Sequence, residues 1–301
     1  MPSGHAGRRD ASSSVAPICP HIGAPCVLAS HSPIAPRTAK RHPETSSLTV
    51  RPKKNLGQHF LVDENILGVI GRLAELSGDD VVLEIGPGLG VLTRYLAERV
   101  AFVHAVEIDR SLERHLPLLP NIRLELGDAL RLDLADLEPA PGKLVSNLPY
   151  NVAAPIVVES LDGFPTVRLW CVMVQREVAD RFFAQPGTKA YGAVSVLVQL
   201  ATERTGFHPV SRNVFRPPPN VDSALIAFRR QPLPGRFADV KRLVEAAFAH
   251  RRKTLPNSLA LAGVASRDEG VAALASLGRP PDSRAEALRP EEFVELAALL
   301  P

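Results

Sequence analysis

Only three cysteines occur in 301 residues: Cys19, Cys26 and Cys171. Two of them fall in a low-complexity stretch, which argues against a disulfide framework and for a reducing compartment, expected here to be the cytoplasm. Long apolar runs are also missing. The longest candidate, around Val167–Val174, is strand-sized and broken by Arg168, far short of the roughly 20 residues that span a bilayer, so no membrane partner is expected. No standard metal-ligand spacing is present. Cys19, His21, Cys26 and His31 offer ligand atoms in an irregular pattern, and no metal is expected. Acids are scarce in one region. Between Arg204 and Lys253 only Asp222, Asp239 and Glu245 oppose Arg204, Arg212, Arg216, Arg229, Arg230, Arg236, Lys241, Arg242, Arg251, Arg252 and Lys253. Net charge is a modest +3, so this local excess, more than the total, points to a polyanionic partner.

Hydrophobic content is 45%, enough for a sizeable core. Residues 1–48 are rich in Pro, Ser, Ala and His, lack apolar periodicity and read as a disordered extension. It has the arginines of a transit peptide, but Pro17, Pro20, Pro25, Pro33 and Pro36 interrupt any amphipathic helix. Beyond it, strands and helices alternate. Strands are expected at Val81–Ile85, Phe102–Ile108, Ile122–Leu126, Lys143–Ser146, Arg168–Gln175, Val194–Ala201 and Ala224–Phe228. Helices are expected at Leu89–Arg99, Leu112–Leu116, Ala153–Leu161 and Arg176–Phe183. Such alternation predicts an α/β fold with a doubly wound, mostly parallel sheet, and the last two strands suggest an antiparallel edge hairpin. Trp170 and Cys171 read as core. From Phe237 only helical patterns remain, with Val240, Leu243, Val244 and Ala247 on one face, then Leu255–Ala262, Gly270–Leu277 and Pro290–Leu300. The division expected is a catalytic domain over 49–235 and a small all-α domain over 236–301.

Glu84-Ile85-Gly86-Pro87-Gly88-Leu89-Gly90 follows a strand and opens a helix, where glycine allows a tight turn and close backbone approach to a ligand. Glu107 ends the next strand, near the offset expected for an acid that binds ribose hydroxyls. NAD and S-adenosylmethionine sites share both features. Two details favour the methyl donor. Glu84 stands beside the loop, where a pyrophosphate would be repelled but the ammonium group of a sulfonium amino acid would not. Asp128, in Gly127-Asp128-Ala129 after the third strand, can accept from an adenine amino group. Alone, Asp128 would read as a turn or cap residue.

Ser146-Asn147-Leu148-Pro149-Tyr150-Asn151 follows the fourth strand and therefore faces the same crevice. By itself the segment could be a turn. Its position gives it chemistry. The lone pair of adenine N6 is delocalised into the ring. An Asn147 side-chain oxygen and a main-chain carbonyl can each accept one N6 hydrogen and localise that lone pair. Pro149 stiffens the loop, and Tyr150 offers a face on which a base can stack.

These segments resemble the rRNA adenine N6,N6-dimethyltransferase family, its bacterial 16S rRNA branch in particular. The likeness rests on Asn55–Leu61, Glu84–Gly90, Asn147–Tyr150, Phe215–Ser223 and Phe248–Leu255, and runs from about residue 50 to the end. It implies a class I methyltransferase fold, a Rossmann-like, mostly parallel seven-stranded sheet with helices on both faces. It implies S-adenosylmethionine as cofactor, held by His59, Leu61, Gly86, Gly88, Glu107, Asp128 and Asn147. Asn147, Leu148, Pro149 and Tyr150 would carry catalysis, with Phe215 stacking the base opposite Tyr150. Arg216, Arg251, Arg252 and Lys253 would meet RNA. Similar enzymes dimethylate two adjacent adenosines near the 3′ end of 16S rRNA in the assembling 30S subunit, and a monomer is expected. Two residues depart from the pattern: His59 stands where many relatives have Asn, and Pro256 where Arg is usual.

Bland readings remain for some of these residues. Phe215 could be a core aromatic, and Arg251-Arg252-Lys253 a solvated helix end. Three other functions compete. A 23S rRNA adenine methyltransferase of the macrolide-resistance type would share fold and tetrapeptide. A non-catalytic assembly factor would be expected to lose Asn147 or the glycine loop. A small-molecule N-methyltransferase would not need the basic last third.

Overall fold

A computed structural model describes residues 52–53 and 58–300. The readings made for residues 1–48, including the Cys19, His21, Cys26 and His31 set, lie outside the described residues, as do Asn55, Leu56 and Gly57.

A seven-stranded sheet organises the chain. Its strands are β2 (Val81–Ile85), β3 (Phe102–Glu107), β4 (Ile122–Leu126), β5 (Lys143–Asn147), β6 (Leu169–Gln175), β7 (Thr202–Val210) and β9 (Ser223–Arg230), in the spatial order β4-β3-β2-β5-β6-β9-β7. The first five pair parallel, while β9 runs antiparallel to both β6 and β7. Strand order reverses between β2 and β5, and a crevice is expected beyond the carboxyl ends of strands at such a point. Both faces of the central strands are covered, so β6, Leu-Trp-Cys-Val-Met-Val-Gln, is a continuous apolar run. Trp170 and Cys171 are fully buried, as their surroundings in the sequence suggest.

Helices α2 (Val91–Ala97), α3 (Ala153–Gly163) and α4 (Arg176–Phe182) follow their strands as expected. The Leu112–Leu116 helix is a 3-10 turn over Arg110–His115. One expected strand is overturned. Ala193–Ala201 forms helix α5, with Ser195, Val196, Leu197, Val198 and Ala201 buried. A short apolar run has no periodicity to separate a strand from a helix covered on most sides. The edge strand is instead β7, Thr-Glu-Arg-Thr-Gly-Phe-His-Pro-Val, whose polar surface hides it from a hydrophobic reading. The expected antiparallel hairpin is present with β7, not 194–201, as partner of β9. Helix α1 (Glu64–Leu73), capped by the Asp63 side chain, was not anticipated. Nor was a small second sheet, β1 (Phe60–Leu61) against β8 (Phe215–Arg216).

Helices α6 (Phe237–Ala249), α7 (Leu255–Leu261), α8 (Arg267–Ser276) and α9 (Pro290–Leu299) complete the described chain. Their apolar faces join one hydrophobic cluster with α3, α5 and a face of the sheet. The Tyr191 hydroxyl donates to the Leu288 carbonyl at 2.8 Å, and Lys241 reaches Glu159 of α3 at 2.8 Å. Pro256 lies buried in the first turn of α7, where its missing N–H costs no helical bond. A Cβ at Gly270 of α8 would approach Pro256 Cα to 3.0 Å, so this departure from the family pattern packs two helices.

Arg230 closes the C-terminal end of α3. Its guanidinium donates to the carbonyls of Leu161, Phe164 and Val167 at 2.6, 2.8 and 2.5 Å, with its carbon 4.9 Å from the Trp170 ring centroid. Arg230→Ala should cost about 2–4 kcal/mol, because three carbonyls lose a charged donor. Urea unfolding checks this, and a midpoint equal to wild type would refute it.

Candidate active site

The glycine loop turns through left-handed backbone at Gly86 (φ 76°) and Gly88 (φ 60°). A side chain at 86 would press on the Pro149 ring, 3.2 Å from the added Cβ, so glycine here lets the loop meet the segment after β5. The loop's own N–H groups are engaged. Gly86 donates to the Val106 carbonyl at 2.9 Å, Gly88 to Glu107 Oε2 at 3.2 Å, and Gly90 to the Pro87 carbonyl at 2.9 Å. A phosphate cradle needs such donors free and no acid beside them. The cleft wall instead carries two buried carboxyls, Glu84 and Glu107.

Glu84 is 1% exposed, and its Oε2 has no hydrogen-bond partner. Burial pushes its carboxyl up to about 8; the adjacent buried Thr93 hydroxyl takes some of that back and Glu107 adds to it. Burial also raises Glu107, against the pull of backbone N–H groups from Asp109 and Gly88. An acidic, water-poor wall with an unpaired oxygen suits a ligand bearing a cationic amine and hydroxyl donors.

Across the cleft lies Asn147, the last residue of β5. Its amide nitrogen donates to the His59 main-chain carbonyl at 3.2 Å. That contact fixes the orientation of the amide and leaves Oδ1 buried without a partner. Asn147, Leu148, Pro149 and Tyr150 all line the cleft together with His59, Leu61, Gly86, Gly88 and Glu107. The structure thus brings most of the expected site residues together.

His59 holds its place through three contacts. Its carbonyl meets Asn147, its Nδ1–H donates to the Pro217 carbonyl at 2.8 Å, and its ring stacks on Tyr150 with centroids 5.4 Å apart and planes at 28°. The arm preceding it is fastened by Asp109, which sequence reasoning missed. Lys53 Nζ donates to Asp109 Oδ1 at 2.6 Å and Gln58 Nε2 to Oδ2 at 2.9 Å. Burial would raise this carboxyl, yet Lys53, Ser111 and Gln58 hold it well below the usual range.

Six expected residues stand outside the cleft lining. Phe215 is 1% exposed, paired with Leu61 across β1–β8 and packed in the cluster with Ile66, Val145 and Val210. It supports the arm from below, and the ring stacked on Tyr150 is His59. Asp128 lies beside the strand end but outside the cleft lining. Its Oδ1 accepts from the Leu130 N–H at 3.0 Å and its Oδ2 lies 3.4 Å from Arg131 Nε, the arrangement of a turn residue. Arg216, Arg251, Arg252 and Lys253 are all exposed, and Arg251 also donates to the Tyr191 carbonyl at 2.9 Å.

Fold and cleft define a class I methyltransferase. Residues 50–300 match the family model described as ribosomal RNA adenine dimethylase. The chain belongs to that family. It is 49% identical to the ribosomal RNA small subunit methyltransferase A of Rubrobacter xylanophilus, over 84% of this chain and 97% of that protein. Identity to the protein of that name from Streptomyces coelicolor is 46%, over 84% and 92%. Among solved structures, a dimethyladenosine transferase from Plasmodium falciparum shares the fold with a TM-score of 0.66 at 24% identity, over 79% of this chain and 96% of that one. The 23S rRNA methyltransferase ErmE aligns with a TM-score of 0.56 at 31% identity, over 80% and 99%.

Glu84 gives the unliganded protein a pH signature. Its folded pKa of about 8 lies above the ordinary 4.5, so between those values the folded state binds more protons than the unfolded. Its contribution to stability is full below the unfolded value and is lost as pH rises through the folded one. Melting temperatures from pH 5 to 9 should therefore fall more steeply in wild type than in Glu84→Gln. Parallel curves would remove Glu84 as the source.

Proposed function

We propose that this protein transfers methyl groups from S-adenosylmethionine to the N6 amines of two adjacent adenosines near the 3′ end of 16S rRNA, in the assembling 30S subunit. Such a substrate belongs to the bacterial cytoplasm. The observation that carries the reading is the Asn147 amide, its nitrogen tied to His59 and its buried oxygen left free.

The donor supplies an electrophilic methyl group on a sulfonium centre. Glu84 and Glu107 suit its ammonium and ribose hydroxyls, and Gly86 and Gly88 leave room that a Cβ would fill. Asp128 keeps lone pairs for the adenine amino group. Asn147 Oδ1 accepts one N6 hydrogen of the target base, and a main-chain carbonyl of the segment accepts the other. The nitrogen lone pair then localises toward the methyl group. Because Asn147 is already oriented, little reorganisation remains at the moment of transfer. Tyr150 carries the base on its ring. Arg216, Arg252 and Lys253 meet phosphates, with the helices of 236–301 as the second rRNA-engaging part.

The test is methylation of 30S particles lacking the modification, with modified nucleosides mapped. Dimethyladenosine at the paired adenosines is expected. Modification of 23S rRNA alone would replace this reading with the ErmE-like one, which has 31% identity in its support against 42–49% for several relatives named for the small subunit. Asn147→Ala should lower kcat by roughly 100-fold or more while cofactor affinity stays near wild type, as for loss of a preorganised polar group. Unchanged turnover would take Asn147 out of the mechanism. Replacing Arg252 and Lys253 together with alanine should weaken particle binding and reduce the slope of log affinity against log salt by roughly 1–2. A salt slope equal to wild type would exclude both from phosphate contact.

A further inference from the structure

Ser223 opens β9, held between Gln175 of β6 and Val210 of β7. It is 1% exposed, a hydroxyl inside a sheet of largely apolar side chains. A buried hydroxyl requires a partner, and the one it finds is the phenol of Tyr150 at 2.5 Å, 73 residues earlier in the chain. Burial raises the Tyr150 phenol, so it stays neutral and able to share a proton with Ser223. At the other side of the same side chain, the His59 imidazole lies on the ring.

A tyrosine held only at its base can turn about two side-chain bonds. Tyr150 is held at its tip as well. The hydrogen bond pins the hydroxyl to the first residue of a strand paired on both sides, and the stacked imidazole sets the plane. A base resting on that ring inherits its position, and methyl transfer is sensitive to displacements of about an ångström.

Resting on the adenine-methylation reading, we propose that Ser223 is a positioning residue: its hydroxyl fixes the Tyr150 ring in the plane on which the target base stacks. It touches neither base nor donor and acts only through the Tyr150 hydroxyl. Removing either hydroxyl therefore has the same consequence, and removing both adds nothing.

The experiment is a double-mutant cycle in the full chain with Ser223→Ala, Tyr150→Phe and the two combined. Single-turnover methylation of 30S particles lacking the modification is measured beside melting temperature and cofactor affinity. Each single variant should lose about tenfold in the transfer rate, with cofactor affinity near wild type, and the combined variant should be no slower than either. Losses that multiply, or an unchanged rate in Ser223→Ala, would overturn the proposal. Should Ser223→Ala fail to fold, Tyr150→Phe decides alone: a tenfold loss supports the proposal and a wild-type rate overturns it. If wild type itself does not modify the 16S adenosines while Asn147→Ala behaves as wild type, the adenine reading fails rather than the role of Ser223.

Discussion

Main-chain pairing of β2 with β5 covers Val82 with Lys143 and Leu83 with Leu144. Beyond it, the Ile85 N–H donates to the Ser146 hydroxyl at 2.8 Å. A side chain thus takes over from the ladder at the point where the strands end. The exchange keeps a buried donor satisfied while the two chains part, which would otherwise cost about 1–3 kcal/mol. From that parting the glycine loop leaves in one direction and Asn147–Tyr150 in the other. They meet again where Pro149 lies over Gly86. The cleft depends on this arrangement: closer strands would leave no space, and an unsatisfied Ile85 N–H would favour closing it.

The cleft is kept in an unrelaxed state. Glu84 Oε2 and Asn147 Oδ1 are both buried without partners. Each such atom costs free energy that a ligand can recover by supplying a donor. The two acceptors call for donors of different kinds, a cationic amine at Glu84 and a neutral N–H at Asn147. This division separates a donor end from an acceptor end before either ligand arrives. The arm carrying His59 preserves the distinction, because its carbonyl takes an N–H of the Asn147 amide and so fixes the amide with Oδ1 as its unpaired acceptor.

The parts legible in the sequence are those governed by local pattern. Strand β2, the glycine turn and the strand after it are contiguous, and their periodicity and turn chemistry declare them. The Asn147 segment was readable because a strand end fixes where a loop points. What stayed hidden depends on distance along the chain. Asp109 looks like any acid after a strand until Lys53 and Gln58 are brought to it from 56 and 51 residues away. The His59 ring and the Pro217 carbonyl are 158 residues apart. Val194–Ala201 failed for another reason: its β-branched run fits a strand locally, and packing among α3, α4, α6 and α9 makes it a helix. Phe215 depends on another pairing distant in the chain. The residue is present in its motif, but pairing with Leu61 turns its ring into the core.

Charge is sorted by depth, and the sorting bears on substrate choice. The cleft interior carries Glu84 and Glu107, while Arg216, Arg252 and Lys253 lie exposed. A polyanion is attracted to the outer surface, while the buried interior would strip its phosphates of water, so its backbone stays outside. Only a neutral part can enter, and a base swung out of its strand is such a part. A cationic group is favoured where the polyanion is not, because it returns a buried carboxyl to its charged form. The cleft can therefore take a small cation while an RNA stays on the outer surface, without either occupying the other's place. Burial produces this result through desolvation: it raises both carboxyls toward their neutral forms, and it would cost a phosphate its water in the same way.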